Sequence, residues 1–256
     1  MNSHKMPRLI TIPISHYCEK ARWALERAEI KYKEEQHLQG FHIPHVYRAG
    51  KLDTAPVLVT SEGVFNDSTT ILQWIDSKTP AHLKLYSEDL KLKKEVEAFE
   101  DTLDEEFGVA GRLWMYTFML DELPLIMKYS KLHKVPRYEK FLMPFVFPKM
   151  KKLIAKAMKV RPDSRKKTYA KIEKTLNDIE KQLSDGRPFL LGERFTAADL
   201  TFASLAAAIL LPENYGVILP KPEECPSEMR DQILKWRAHP AGQFALKLYT
   251  KYRHFT

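Results

Sequence analysis

Residues 8–28 of the chain read RLITIPISHYCEKARWALERA, and this stretch is the most informative about the fold. It opens with a short apolar run, Arg8 to Ile14, that is rich in β-branched side chains and typical of a buried strand. Ser15 begins a polar break of the kind that precedes a helix. Apolar residues then recur with helical spacing at Ala21, Ala24, Leu25 and Ala28. The stretch therefore predicts a strand followed directly by a helix, with a polar turn between them.

The sequence up to Pro80 continues this alternation of strands and helices. Ile30 to His37 predicts a second strand, and Phe41 to Lys51 predicts an irregular helix. Two short apolar runs, Ala55 to Val59 and Gly63 to Phe65, flank a polar tripeptide and predict a β-hairpin. A helix with a capping side chain at its start is predicted to follow. This order of elements predicts a compact α/β module.

From Asp89 onward the pattern is helical. Apolar residues recur every three or four positions from Leu92 to Ala110, which predicts one long amphipathic helix. Four prolines interrupt residues 121–148, so short helices and turns are predicted there. Thr196 to Leu211 is the most apolar helical stretch of the chain. Further helices are predicted over Met150–Lys159, Lys166–Leu183, Arg230–Trp236 and Ala241–Arg253.

Composition places the chain among folded, soluble proteins. Its 256 residues are 44% hydrophobic, enough to bury a core, and 29% charged, enough for a solvated surface. No apolar stretch approaches the roughly 20 residues that span a bilayer. The basic start is followed by a short apolar run without a cleavage site, so no secretory signal is expected. Two cysteines, Cys18 and Cys225, make no disulfide framework, and a reducing, cytoplasmic location is expected.

Much of the net charge of +8 comes from a segment that runs from Lys149 to Lys167. A basic helix of this kind could meet an anionic membrane or a nucleic acid, or it could be a solvated helix face, which we favour. The sequence has no zinc-ligand spacing, RNA-binding signature or P-loop, so no nucleic-acid partner is expected. The apolar run Phe141 to Phe147 beside the lysines is either a peripheral membrane or partner contact or an internal lid, and the lid is slightly favoured.

Four pieces of sequence occur in an order and spacing that point to one family. They are Ser15-His16-Tyr17-Cys18 with Lys20 to Trp23, Ala55-Pro56-Val57-Leu58, Asp67 to Ile71, and Thr196-Ala197-Ala198-Asp199 preceded by Arg187 to Gly192. In this combination the chain resembles the cytosolic glutathione transferase superfamily over nearly its whole length. The resemblance implies a thioredoxin-like α/β domain over residues 7–82, followed by an all-helical domain over residues 88–256. Residues 121–167 would form a basic, proline-broken extension.

The resemblance also implies an activity. The protein would be a glutathione S-transferase, with glutathione as co-substrate and its thiol attacking a small hydrophobic electrophile or a peroxide in a cleft between the domains. A cytoplasmic homodimer with a role in detoxification is implied as well. Two alternatives stay open. One is a glutathione-dependent thiol-transferase or reductase that uses Cys18, and the other is a non-catalytic binding or scaffold protein of the same fold.

The candidates for the catalytic residue are Ser15, Cys18 and Tyr17. Glutathione brings its own sulfur, so the enzyme has to stabilise a thiolate. One hydroxyl donor supplies the roughly 2 kcal/mol needed to lower a thiol pKa from about 8.5 to about 7. In the serine-type classes of the family the catalytic hydroxyl stands at the position of Ser15, which is the first choice. Cys18 matches the second cysteine of a C-x-x-C motif whose first cysteine is replaced by serine, so it is either a thiol that forms mixed disulfides or a small packed residue.

Residues that bind glutathione are expected in two main places. The family's proline before the third strand is cis, which implies a cis Pro56 and a Val57 backbone that pairs with an extended peptide. Asp67 and Ser68 begin a helix, where they would bind a carboxylate and an ammonium or serve as an ordinary cap. Lys51 and His42 are looser candidates for contact with the glycine carboxylate of glutathione.

Other side chains receive structural interpretations. His42 and His45 lack further obvious ligands, so no metal site is expected. Arg22 is expected to pair with an acidic group of the helical domain, and Thr196 and Asp199 to form a capping box. The aromatic end of the long helix is either interface core or a wall of the electrophile site, with core the more frequent role for such side chains. Its residues are Trp114, Met115, Tyr116 and Phe118.

Overall fold

The structure, a computed structural model, describes residues 6–253 and begins with a four-stranded mixed sheet in the order β2-β1-β3-β4. The strands are β1 (Arg8–Thr11), β2 (Lys33–Gln36), β3 (Val57–Val59) and β4 (Val64–Phe65). β1 runs parallel to β2 and antiparallel to β3, and β3 and β4 form the predicted hairpin. Leu9 and Ile10 in the central strand are fully buried, in agreement with the apolar sequence of that strand.

Three helices pack around this sheet: α1 (His16–Arg27), α2 (Ile43–Gly50) and α3 (Ser68–Lys78). α1 provides the crossover that the parallel pair of β1 and β2 requires. The Asp67 carboxylate accepts hydrogen bonds from the backbone amides of Thr69 and Thr70, at 2.8 and 3.2 Å, and so caps α3. The predicted order of strands and helices, including the capped helix after the hairpin, is confirmed.

The rest of the described chain is helical. Its α-helices are α4 (Leu90–Thr102), α5 (Val109–Met119), α6 (Leu123–Ser130), α7 (Arg137–Ala157), α8 (Ser164–Leu183), α9 (Ala197–Leu210), α10 (Ser227–Ala238) and α11 (Pro240–Tyr252). Short 3-10 turns lie at Ala81–Leu83 and Pro222–Glu224, and a π-helical segment, Leu103–Gly108, joins α4 to α5. The predicted long helix is therefore present from the start of α4 to the end of α5, and it changes its pitch once, in the π-helical segment. No helix within residues 6–253 has the length and apolar character of a membrane span.

α9 is the centre of the larger core. Every residue from Ala197 to Leu210 is buried, and the helix contacts α1, α4, α5, α10 and α11. One oxygen of the Asp199 carboxylate accepts hydrogen bonds from the Thr196 amide (2.9 Å) and hydroxyl (3.0 Å), and the other accepts one from the Leu190 amide (2.8 Å). The predicted capping box is present. The same carboxylate also holds the loop that leads into the helix.

α7 contradicts the prediction of short helices and turns up to residue 148. It runs for 21 residues straight through Pro144 and Pro148, although a proline inside a helix costs about 3 kcal/mol. Met143 and Phe147 lie on its inner face, where they are buried in a small core with Leu38. Because this contact joins segments about a hundred positions apart in the chain, the local proline pattern did not reveal it.

The Phe141–Phe147 run divides between the two predicted roles. Met143 and Phe147 point inward, as a lid would, whereas Phe141 and Phe145 are 70% and 73% exposed. The basic residues that follow on α7, such as Lys152, are exposed too, as predicted for a solvated helix face. A peripheral membrane or partner contact of the exposed rings stays a prediction.

The Lys20 side chain anchors α1 to the helical domain. It has no exposed surface, and its ammonium lies 2.7 Å from the Glu100 carboxylate and 2.5 Å from that of Asp104. The Thr69 hydroxyl lies 3.1 Å from both carboxylates, so α3 joins the same cluster. Tyr86 donates a hydrogen bond to the second Glu100 oxygen at 2.6 Å. Buried charges are thus matched by opposite charges and hydrogen bonds, as burial requires.

The partner expected for Arg22 is wrong. Its guanidinium pairs with Glu34 (2.6 Å) and Glu19 (3.1 Å), which belong to β2 and to α1 itself. Besides Lys20, the residue that joins α1 to the helical domain by ion pairs is Arg253, which follows α11 and binds Glu19 at 2.8 Å as well as Glu26. Sequence spacing identified Arg22 as structural but did not identify which carboxylate the fold brings next to it.

Replacing Lys20 with methionine should lower the free energy of unfolding by about 3–5 kcal/mol, because Glu100 and Asp104 would stay buried without their positive charge. Urea unfolding followed by circular dichroism measures this change. Lys174→Met is the matched control, since its pair with Asp178 is exposed on α8. Equal losses in the two variants would contradict the anchoring role of Lys20.

Candidate functional site

A cavity of about 420 Å³ lies between the sheet and helices α5, α6, α7 and α9. Residues 12–17 and 53–55 form the wall on the side of the sheet. Much of the remaining wall is flexible and apolar, with methionines at Met115, Met119, Met143, Met150, Met158 and Met229. The volume falls in the range of small-molecule sites, and methionine side chains adapt to ligands of different shape.

The basic, proline-broken extension, residues 121–167, forms one side of this cavity. From α7, Phe147, Met150 and Ile154 contribute to the wall, and from α6, Leu125 and Tyr129 do so. The side chain of Met150 also lies close to Gly40, where an added Cβ would come within 2.9 Å of its sulfur. α7 therefore closes the cavity toward the loop that follows β2.

Ser15 brings a hydroxyl to the cavity wall at the start of α1. The Cys18 amide donates a hydrogen bond to this hydroxyl at 3.4 Å, which makes Ser15 the N-cap of the helix. Because the Ser15 oxygen acts as the acceptor, its own proton remains available to a ligand. The positive end of the helix dipole lies at the same place and favours a bound anion.

Cys18 and Tyr17 are placed differently from Ser15. Cys18 is fully buried, its sulfur accepts a hydrogen bond from the Ile12 amide at 3.4 Å, and burial raises the pKa of its thiol. Tyr17 does line the cavity, but its hydroxyl donates to the Asp104 carbonyl at 2.7 Å, and burial raises its pKa. Of the three catalytic candidates, only Ser15 offers the cavity a hydroxyl proton that no protein acceptor holds. Cys18 has the surroundings of the small packed residue.

The peptide-binding candidates lie along the edge next to the cavity. The Ala55–Pro56 peptide bond is cis, as the resemblance implied. Val57 pairs with Ile10 of β1, whereas the pairing of β3 with β4 starts only at Leu58. Beside Val57, therefore, no strand of the described chain occupies the outer edge of β3. Ala55 is in the cavity wall, while Pro56 and Val57 lie just outside it.

Comparison with known proteins identifies the family. A sequence model of the glutathione S-transferase N-terminal domain matches residues 9–82, and one of the C-terminal domain matches residues 162–220. The chain belongs to the glutathione S-transferase family. None of the curated protein sequences compared with it matches significantly.

Solved transferase structures share the fold of this family member at low sequence identity. A glutathione S-transferase from Xanthobacter autotrophicus has a TM-score of 0.61 and 15% identity, over 96% of this chain and 93% of that one. One from Methylobacillus flagellatus, crystallised with glutathione bound, has a TM-score of 0.56 and 17% identity, over 93% and 98%. A theta-class enzyme from Xanthomonas axonopodis pv. citri, also with glutathione bound, has a TM-score of 0.57 and 16% identity, over 94% and 97%.

In this transferase-family chain the remaining glutathione candidates fall into different surroundings. Ser68 is buried and Asp67 is exposed at the start of α3, outside the cavity wall. His42 is buried in the wall, where burial lowers its pKa and its ring accepts a hydrogen bond from the Gly40 amide at 3.2 Å. Lys51 is exposed at the end of α2 and lies outside the wall.

The aromatic end of the predicted long helix serves two purposes. Trp114 and Phe118 are core residues, and the Trp114 ring packs against Trp236 at a centroid distance of 4.8 Å. Met115 and Tyr116, on the neighbouring face of α5, line the cavity. A core role is therefore confirmed for Trp114 and Phe118, within the helical domain, whereas a wall of the electrophile site at Met115 and Tyr116 stays a prediction.

Two cavity residues, His16 and Arg112, were not singled out from the sequence. Burial, followed by the nearby Arg112 charge, lowers the pKa of His16 to about 3, so its imidazole is neutral. His16 Nε2 and Arg112 Nε have no hydrogen-bond partner within the described chain, and both residues line the cavity. The sequence did offer one signal for this corner of the cavity, because Arg112 is a charged residue on the apolar face of α5, four positions after Gly108.

The π-helical segment before α5 shapes this corner of the cavity. Its last residue, Gly108, lies so close to Tyr17 that an added Cβ would come within 2.5 Å of the Tyr17 hydroxyl oxygen. The Arg112 guanidinium stands over the Tyr17 ring at 5.5 Å from its centroid. Glycine at this position therefore permits the close approach of α1 to α5 that brings His16 and Arg112 together.

The Cys18 thiol should be unreactive in the folded protein. In a Cys225→Ser variant, we expect 5,5′-dithiobis(2-nitrobenzoic acid) to modify the remaining thiol at least about 100-fold more slowly in buffer than in urea, because reaction needs an exposed thiolate. Absorbance of the released thionitrobenzoate measures both rates. Fast modification of the folded variant would contradict the burial of Cys18 and would revive a thiol-based reaction.

Proposed function

We propose that this family member is an active glutathione transferase, which binds glutathione and activates its thiol for attack on a hydrophobic electrophile. The observation that carries the proposal is the uncommitted Ser15 hydroxyl at the wall of an otherwise largely apolar cavity. The cavity supplies room for an apolar co-substrate next to the group that would stabilise the thiolate. Holding sulfur and electrophile together in this way lowers the barrier by removing the entropy cost of their encounter.

Ser15 would act on the sulfur of glutathione by donating a hydrogen bond to the thiolate. A hydrogen bond to a charged acceptor contributes about 1.5–3 kcal/mol, which corresponds to a thiol pKa lower by about one to two units. The thiol proton would pass to solvent. The sulfur would then form a bond to the electrophilic carbon, and the leaving group would depart with the electron pair of the broken bond.

Glutathione itself would lie along the edge of the sheet. The open edge of β3 beside Val57 supports backbone pairing with an extended peptide, as in other cases of strand addition. The start of α3 at Asp67 and Ser68 would receive the γ-glutamyl group, with Pro56 beside the peptide, and His42 and Lys51 would lie toward the glycine end. The structures from Methylobacillus and Xanthomonas that were crystallised with glutathione support glutathione binding as such.

The co-substrate would be apolar over most of its length and carry one polar or anionic acceptor group. Arg112 supports this, because it brings a guanidinium charge to an otherwise largely apolar wall. A hydrogen bond to a charged group contributes about 1.5–3 kcal/mol, so a ligand that carries an acceptor there is favoured.

The alternative reaction through Cys18 has weaker support. A mixed disulfide with glutathione needs an exposed thiolate, and Cys18 is fully buried with a raised pKa. A non-catalytic role of the same fold would leave glutathione binding intact but abolish conjugation. From the resemblance we further propose that the protein is a cytoplasmic homodimer with a role in detoxification. Each chain would comprise one domain over residues 7–82 and a second, helical domain over residues 88–256.

Ser15→Ala should reduce kcat/KM for conjugation of a model aryl halide by about 10- to 100-fold near pH 7, because the thiol pKa of bound glutathione should rise by about one to two units. The pH profile of kcat/KM and the thiolate absorbance of the binary complex measure that pKa. Ser15→Thr keeps a hydroxyl and a helix cap and should retain most of the activity. Ser184→Ala, at an exposed serine, is the control for substitution alone.

If the pH profile of Ser15→Ala is unchanged, Ser15 does not stabilise the thiolate, and conjugation depends on another group. Calorimetry of the unmodified protein with glutathione tests the wider proposal. No heat of binding at millimolar glutathione would overturn it.

Arg112→Met should distinguish co-substrates by charge. For an aryl halide that carries a carboxylate, KM should rise about 10-fold or more, since a charge-assisted hydrogen bond worth about 1.5–3 kcal/mol is lost. For the uncharged parent compound, KM should change little. Arg230→Met removes a surface guanidinium paired with Asp231 and is the matched control. Equal effects on both co-substrates would contradict the assignment of Arg112 to an acceptor group.

A further inference from the structure

A second polar cluster lies where β2, α2 and the start of α7 meet. One oxygen of the Glu35 carboxylate, Oε1, lies 3.0 Å from His37 Nε2 and 2.9 Å from His45 Nδ1. The two imidazole rings stack with their centroids 3.6 Å apart. All three potential ligand atoms lie within 4.8 Å of one another. One carboxylate oxygen therefore lies within hydrogen-bond distance of a nitrogen of each histidine. Because stacked imidazoles do not both direct their in-plane lone pairs at one ion, the rings would rotate apart for the three atoms to converge on a single point.

Each of these three side chains is held by an outer partner through its other polar atom. Arg8 donates to Glu35 Oε2 at 2.6 Å. Glu139, on α7, binds His37 Nδ1 at 2.6 Å, and the Tyr138 hydroxyl lies 3.5 Å from His45 Nε2. Outer partners of this kind orient metal ligands and fix the histidine tautomer that presents a lone pair to the ion.

Burial and charge in the cluster favour a cation. The His37 and Glu139 side chains are almost fully buried, whereas Glu35 and His45 are 26% and 22% exposed, so the convergence point opens to solvent on one side. Two carboxylates, Glu35 and Glu139, face the cluster against the single guanidinium of Arg8.

We propose that Glu35, His37 and His45 bind a zinc ion, with Glu139, Tyr138 and Arg8 holding the ligands in place. Two imidazole nitrogens and one carboxylate oxygen are a ligand set of zinc sites, in which a water molecule takes the fourth position. Calcium and magnesium prefer oxygen ligands alone. The prediction that the chain has no metal site was based on His42 and His45. Of these two, His42 lines the cavity and takes no part in the cluster. The ligands that join His45 are Glu35 and His37, at the end of β2.

A zinc ion at this point would connect the sheet domain to α7. Glu139 binds the Leu38 amide at 2.8 Å as well as His37, so the cluster is continuous with the loop after β2 that contributes to the cavity wall. Metal binding would therefore stabilise the contact of α7 with the sheet domain. This inference does not depend on glutathione binding or on catalysis.

Zinc titration of the untagged protein, stripped of metal with a chelator, tests the proposal. Calorimetry and competition with a chromophoric chelator should give one zinc ion per chain, and cobalt should give the visible absorption of a tetrahedral complex. His45→Ala and Glu35→Gln should each weaken zinc binding by at least about 10-fold, and Tyr138→Phe by less, as its hydroxyl is an outer partner. His82→Ala, at an exposed histidine of the first 3-10 turn, should bind zinc like the unmodified protein.

Circular dichroism of the metal-free variants shows whether each retains its fold. The rise in melting temperature with zinc should be largest in the unmodified protein and in His82→Ala, and smallest in His45→Ala and Glu35→Gln. Absence of saturable binding at micromolar free zinc would overturn the proposal. Unchanged affinity in both His45→Ala and Glu35→Gln would overturn it as well, because the ion would then bind elsewhere.

Discussion

The buried ammonium of Lys20, held between the carboxylates of Glu100 and Asp104, is the constraint on which the rest of the structure depends. A buried charge is tolerated only where opposite charges surround it, so α1 fits against α4 and the π-helical segment in one position. Four residues earlier in the same helix, His16 faces the cavity, and Ser15 caps the helix beside it. The ion pair that joins the two domains therefore also sets where the candidate catalytic hydroxyl stands.

α7 is the second element that determines the site. Two prolines weaken its hydrogen-bonded ladder, yet the helix continues past both, and Met143 and Phe147 pack it against the loop after β2. Glu139 near its first turn is fully buried and binds both His37 and the Leu38 amide. Apolar packing and this one carboxylate thus attach the extension to the sheet domain. Both contacts hold α7 where Phe147, Met150 and Ile154 line the cavity.

The sequence predicted the fold well wherever the signal was local. A strand-to-helix turn, a hairpin and a capping box each depend on residues a few positions apart, and each is present. The failures involve distant partners. Arg22 pairs with Glu34 rather than with the helical domain, and α7 continues through Pro144, because in both cases the deciding contact comes from another part of the chain. Propensity and spacing carry no information about such contacts.

The candidate site shows the same division. Ser15 could be selected because its position before a helix is visible in the sequence, whereas the difference between Ser15 and Cys18 depends on which side chain faces the cavity and which faces the sheet. A neutral His16 beside a charged Arg112 is likewise a product of burial, since an exposed histidine would titrate near pH 6.5. A cavity that keeps this imidazole uncharged leaves Arg112 as the main positive charge facing a bound ligand. The polarity of the site is thus set by the desolvation of one ring, which only the folded chain produces.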